Sequence, residues 1–190
     1  TEPPVPPPYA ARQVLELAEG LDRTRFDVEV IHLKTGGALE EAARHRGLAC
    51  WSPASRAGLD LGAVRRLADH LRDRRFDIVL AQNQYATIVT ALACRRLGSA
   101  APRWMSAFHS SPGHIGRGLA DQALFGLYKL VLRYSAGLVF VSEIQRKVWR
   151  DLGFPRRCAS TVITNGVDTD RFRPGPEAGI RAQFGWNGDD

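Results

Sequence analysis

The chain alternates between two hydrophobic periods. In "ARQVLELAEGL", residues 11–21, the apolar Val14, Leu15, Ala18 and Leu21 recur at three- and four-residue spacing, which predicts one face of a helix that Gly20 helps to end. "FDVEVIHL", 26–33, then alternates Phe26, Val28 and Val30 with polar neighbours, the period of a strand. A short helix over 38–46, closed by Gly47, leads to the short strand "LACW". Residues 61–74 place Val64, Leu67, Ala68 and Leu71 on a further amphipathic face, and "FDIVLA" after them is almost wholly apolar, as suits a sheet covered on both sides. Helices over 86–97, 119–134 and 143–152 and strands over 103–109, 137–142 and 160–163 complete the series. Regular exchange of strand and helix predicts an α/β fold, a Rossmann-like doubly wound parallel sheet.

The pattern starts and stops abruptly. "TEPPVPPPY" can form neither a strand interior nor a helix, yet such a fold opens on a strand, so a first strand is expected upstream of Thr1. At the other end "EAGIRAQFGWNGDD" reads as a short helix and a polar turn with nothing to pack against. The expected division is therefore one domain over 1–170, with 171–190 as a linker and the start of a second.

Composition narrows the class. With 44% apolar residues in 190, the chain can bury a substantial core, and disorder is not the default. Cys50, Cys94 and Cys158 are odd in number and lack Cys-x-x-Cys or Cys/His metal spacing, which suggests reduced thiols and a cytoplasmic setting. No apolar run reaches the roughly 20 residues of a membrane span. The net charge of +6 comes almost entirely from scattered arginines, with only Lys34, Lys129 and Lys147 as lysines. Solvated helix faces explain that scatter; attraction to anionic lipid headgroups, a peripheral contact with the inner membrane face, or to phosphorylated substrates is the other reading. No basic stripe interleaved with aromatics points to nucleic acid.

One stretch is specific enough to resemble a family. "GLVFVSEIQRKVWRDLGFPRRCASTVITNGVDTDRFRPG" is similar to the middle of family 4 glycosyltransferases, where a strand ending in Val-Ser is followed by a helix, a Gly-x-Pro turn, a strand and Asn-Gly-Val-Asp. "ARQVLELAEGLDRTRFDVEVIHL" resembles that family's opening helix and second strand, and "RWMSAFHSS" its strand ending in histidine. The resemblance implies a GT-B architecture, two Rossmann-like domains across a cleft, with this chain as the N-terminal, acceptor-side half. It implies a retaining transfer from a nucleotide sugar to a glycan, lipid or small-molecule acceptor, with no metal or other cofactor. The family's second half carries two glutamates eight positions apart, and no Glu here has another eight residues on. The isolated chain is accordingly expected to be inactive. A noncatalytic module or fragment of GT-B origin and a GT-B sugar-nucleotide epimerase are the alternatives, the Asn-Gly-Val-Asp stretch arguing against the second.

Candidate site residues fall at predicted strand ends. His109 ends "WMSAFH", at the edge where α/β folds take ligands. A lone histidine there is either packed or a ligand contact; the resemblance makes it the catalytic contact to the transferred sugar, stabilising developing charge rather than acting as a general base. Ser110, Ser111 and Gly113 follow it as a polar loop suited to hydroxyl or phosphate, or as an ordinary connection. Gln82 and Asn83, with Gln84, end "FDIVLA" and could read acceptor hydroxyls; relatives often carry histidine in place of Gln82. Ser142, with Glu143, either caps the next helix or lines the cleft. Relatives commonly have Gly-Gly before the equivalent of Ala10 to Gln13, where this chain has Pro8-Tyr9, which removes an amide donor and puts Tyr9 to stacking on sugar or covering the sheet edge. Asn165-Gly166 is expected to form a turn tolerant of positive φ at the cleft edge, touching the donor when the lobes close.

Overall fold

The computed structural model describes residues 9–56, 59–110, 118–155, 158–170 and 173. The described chain runs α1 (Tyr9–Gly20), β1 (Glu29–Ile31), α2 (Ala38–His45), β2 (Ala49–Trp51), α3 (Leu61–Arg74), β3 (Ile78–Gln82) and α4 (Gln84–Leu97). After a 3-10 turn at Gly98–Ala100 come β4 (Arg103–Phe108), α5 (Leu119–Leu132), β5 (Gly137–Phe140), α6 (Glu143–Asp151) and β6 (Ser160–Val162). Every element predicted between residues 11 and 163 is present, within a few residues at each end, while the short helix expected in 177–190 lies outside the described residues.

Helices α3, α4 and α6 begin where a side chain satisfies one of their first amides. Asp60 Oδ1 accepts from Ala63 N at 3.0 Å at the head of α3, and these backbone bonds hold the carboxyl below its usual range. Gly47 ends α2 at φ +65, a conformation that costs residues with a Cβ but not glycine. Apolar spacing then selects the buried face: in α3 the buried positions are Ala63, Val64, Leu67, Ala68 and Leu71.

All strand pairs are parallel, but they form two sheets, β1-β2 and β3-β4-β5-β6. This is the expected parallel α/β arrangement, present in two parts. The break falls between β1 and β3, where a doubly wound sheet of order 3-2-1-4-5-6 has its innermost strand. Each side of the break is an edge, which explains why Ile78 of β3, expected to be covered on both faces, is 54% exposed.

The main core lies under the four-stranded sheet. Register sets Phe108 opposite Phe140, and their rings stack at 4.6 Å between centroids. Tyr128, Trp149 and Phe154 close around Phe108 at 5.9, 5.2 and 5.6 Å, all of them buried. Burying each such ring is worth roughly 1.5–3 kcal/mol, so β4, which leads to His109, is among the best-anchored strands. A smaller core joins Leu15 and Ala18 of α1 to Val30, Ala43 and Leu48. Polar and aromatic contacts tie it to the rest: Trp51 stacks on His70 of α3 at 3.9 Å, and His70 Nε2 lies 3.2 Å from Glu29 Oε2.

Candidate functional site

Parallel order brings four strand ends to one edge. Gln82 ends β3, His109 follows β4, Ser142 lies two residues past β5, and Asn165 lies beyond β6, on strands that neighbour one another in that sequence. This is the carboxyl edge, the side on which α/β sheets bind ligands.

Two adjacent ends carry the site's most telling feature. Gln82 pairs with Ala107 in the β3–β4 register, and His109 is two residues past Ala107, directly beyond the end of β4. Gln82 Oε1 and both ring nitrogens of His109 are shielded from solvent and have no hydrogen-bond partner among the described residues. Unpaired buried polar atoms are costly, roughly 1–3 kcal/mol each, and demand an explanation. A further such atom, Trp149 Nε1, sits in the aromatic core instead. Burial lowers the His109 pKa, so the neutral imidazole is the form present at neutral pH. A neutral ring donates from one nitrogen and accepts at the other.

Asn83 is bent into an unusual conformation beside them. Its φ of 94 and ψ of 166 belong to a region used almost solely by glycine. The strain is held from two sides: Oδ1 accepts from Ala86 N at 2.9 Å, capping α4, and the Asn83 carbonyl accepts from Thr87 Oγ1 at 2.8 Å. The expected role in reading hydroxyls is thereby narrowed, since the side-chain oxygen is occupied and the amide nitrogen is the atom that an exposed Asn83 can offer a ligand. Thr87 Oγ1 in turn meets Ser106 Oγ at 2.8 Å, and the buried Tyr128 hydroxyl bonds both. Burial pushes the Tyr128 pKa well up and keeps it a proton donor.

Ser142 takes the capping alternative: its Oγ accepts from Gln145 N at 3.1 Å. Ser110 is exposed, and its carbonyl accepts from Gln145 Nε2 at 3.2 Å. Tyr9 is the first residue of α1 rather than part of a loop before it. Ser111, Gly113 and Pro8 lie outside the described residues, as does nearly all of 171–190. Asn165 is half-buried and Gly166 exposed, and neither has positive φ, contrary to the expected turn. Among the described residues no returning strand pairs with β6, so nothing there requires a hairpin; the bend comes later, where Asp168 Oδ1 accepts from Asp170 N at 3.1 Å.

Gln145, Thr87, Ser106 and the pair His32–Glu40 were not singled out by sequence reasoning. Only Gln145 had a legible signal, the Ser-x-x-Gln capping spacing. His32 follows β1, is 8% exposed, and lies 3.6 Å from Glu40, whose Oε2 also accepts from Gly36 N at 2.7 Å. That backbone bond, more than the neighbouring charges, lowers the Glu40 pKa. Among the described residues no cluster of His, Cys, Asp or Glu could hold a metal ion, and no helix is long and apolar enough to cross a membrane.

Comparison with known proteins identifies a family and a fold. The model of Glycosyltransferase Family 4 matches residues 10–171. Two solved structures of Anabaena Alr3699/HepE, one in complex with UDP and one with UDP and glucose, each superpose with a TM-score of 0.74. Identity is 19% and 20%, and each match covers 94% of this chain but 47% of the other, so this chain spans about half that protein's length. No curated protein matches.

Proposed function

The chain belongs to Glycosyltransferase Family 4 as an N-terminal domain of the GT-B fold, and from that premise we propose that it is the acceptor-side half of a retaining, hexosyltransferase-type enzyme. The enzyme transfers a sugar from a nucleotide-sugar donor to a glycan, lipid or small-molecule acceptor. One observation carries this reading: three shielded, unpartnered polar atoms, Gln82 Oε1 and both nitrogens of His109, stand on adjacent strand ends. A sugar matches them, because neighbouring hydroxyls each donate and accept. UDP and glucose bound by the Anabaena protein support the substrate class.

In this reading His109 receives one sugar hydroxyl and donates to another, holding the ring while the bond from the anomeric carbon to the diphosphate breaks. The acceptor oxygen bonds that carbon on the face the diphosphate leaves, and its proton passes to the departing phosphate. Neutral His109 orients the sugar and its dipole faces the developing charge. Gln82 fixes a second hydroxyl, Asn83 and Ser110 contact the acceptor, and Asn165 and Gly166 meet the donor once the second domain closes. The reading needs no resident metal or organic cofactor, since hydrogen bonds and the donor's own leaving group suffice.

The same reading is cytoplasmic, with peripheral contact to an anionic membrane. Its support is α6, where Ile144 and Val148 are exposed and followed at the same spacing by exposed Leu152, with exposed Lys147 and Arg150 beside them.

The test is a panel of nucleotide sugars offered to the full-length protein, with the anomeric configuration of any product read by NMR. Transfer with retention is expected, and none from residues 1–190 alone. Absence of transfer with every donor, or an inverted product, would sink the reading.

A further inference from the structure

Gln145, in the first turn of α6, is a buried amide, 6% exposed, whose two ends are engaged with different loops. Its Oε1 accepts from Val141 N at 3.0 Å, and its Nε2 donates to the Ser110 carbonyl at 3.2 Å. The first contact, with the bond from its own N–H to Ser142 Oγ, is a Ser-x-x-Gln capping arrangement displaced by one amide. The second belongs to no cap. It crosses from the β5–α6 junction to the loop that follows the neighbouring strand β4.

We propose that Gln145 is a positioning residue, clamping the loop after β4 to the head of α6 and thereby fixing the imidazole of His109. The consequence for transfer rests on the role given to His109 above; the clamp itself does not. His109 is past the last residue of β4, so the sheet ladder stops before it. Ser110 next to it is exposed, and the Gln145 amide is what its carbonyl meets. Releasing that carbonyl frees the peptide after Ser110, one residue past His109, to rotate, and the ring nitrogens lose their shielding.

The choice of amide over acid separates clamp from cap. Glutamate at this position would accept from Val141 N equally well, and a helix N-terminus favours the negative charge. Capping alone therefore gives no reason for glutamine. Only the bond to Ser110 needs a donor, and Gln145→Glu would set a carboxylate oxygen against a carbonyl oxygen, two acceptors with no proton between them.

The experiment uses the full-length protein as wild type, Gln145→Glu and Gln145→Leu, treated with diethyl pyrocarbonate at pH 7.5, with the rate of ethoxycarbonylation resolved for each histidine by mass spectrometry. In Gln145→Glu the expected result is at least fivefold faster modification of His109, unchanged rates at His32 and His70, and a thermal midpoint no lower than wild type. Gln145→Leu, which loses both contacts, should show the faster His109 with a lowered midpoint. Where transfer is measured, kcat of Gln145→Glu should fall at least fivefold with donor KM changed less than twofold. A wild-type rate at His109 in Gln145→Glu would mean that Gln145 only caps α6, and the proposal fails, whatever happens to kcat. Equal acceleration of all histidines would mean general loosening, and it fails equally. A wild type that transfers no sugar overturns the proposed function but leaves the reactivity pattern, and so the clamp, standing.

Discussion

Thr87 Oγ1 and Ser106 Oγ lie 2.8 Å apart, one in the first turn of α4 and the other in β4, and neither residue has any exposed surface. Their bond locks the strained Asn83 junction to the strand that leads to His109. Thr87→Val keeps the shape and leaves two buried hydroxyls short of a partner, at an expected cost of about 1–3 kcal/mol. Adding Ser106→Ala should cost less than the sum of the single changes by at least ~0.5 kcal/mol. Urea unfolding of the four proteins measures this, and strict additivity would refute the coupling.

His109→Ala in the full-length protein should lower turnover at least tenfold while nucleotide binding stays close to wild type. The basis is that both its ring nitrogens are shielded and unpartnered at a strand end on the carboxyl edge of the sheet. A near-wild-type rate would remove the role assigned to it.

Burial also predicts a pH dependence of stability. Unfolded His109 binds its proton near the ordinary 6.5, whereas the folded form, desolvated, binds it only at lower pH. More protons are then bound to the unfolded state in that interval, so this contribution is complete above 6.5 and is lost as pH falls through the folded pKa. His109→Gln should flatten the decline of thermal midpoint as pH falls below about 6.5, since it removes the titrating group. An unchanged slope would count against burial of the neutral ring.

Thiol chemistry should rank the cysteines. Cys94 is buried in the main core, which pushes its thiol up to about 11, while Cys50 and Cys158 are half-buried. Cys158 is further occupied, donating to Leu132 O at 3.2 Å. With a disulfide reagent at pH 8, Cys94 should react last, at the rate of unfolding, and all three thiols should react at once in denaturant. Rapid modification of native Cys94 would contradict the packing.

Binding to vesicles tests the exposed stripe of α6. Vesicles containing phosphatidylserine should bind the protein, with affinity falling as salt rises. Lys147→Glu should weaken binding by more than about tenfold, because each basic residue near an anionic surface contributes roughly 1 kcal/mol and the change both removes one and adds a repulsion. Equal binding to neutral and anionic vesicles would defeat the electrostatic part of the reading.

The α/β class and nearly every element could be read directly, because periods of 3.6 and 2 are local properties: Val64, Leu67, Ala68 and Leu71 fall on one helical face in any context. His109 was legible for the same reason, since "WMSAFH" shows where a strand ends. Asn83 and Asn165-Gly166 were less so. An Asn-Gly pair is drawn into a hairpin's positive-φ turn by a returning strand, and among the described residues none pairs with β6; Asn83 adopts positive φ without a glycine because Ala86 and Thr87 hold it there.

The sequence by itself determined which segments are strands and helices, which faces are apolar, and the family to which the chain belongs. Tertiary structure alone decided that the sheet divides between β1 and β3, that Thr87 meets Ser106, and that Gln145 reaches Ser110 across 35 positions. The physical reason is range. Periodicity and capping depend on neighbours within one turn, whereas a hydrogen bond between two loops depends on the order and register of strands, which local spacing does not encode.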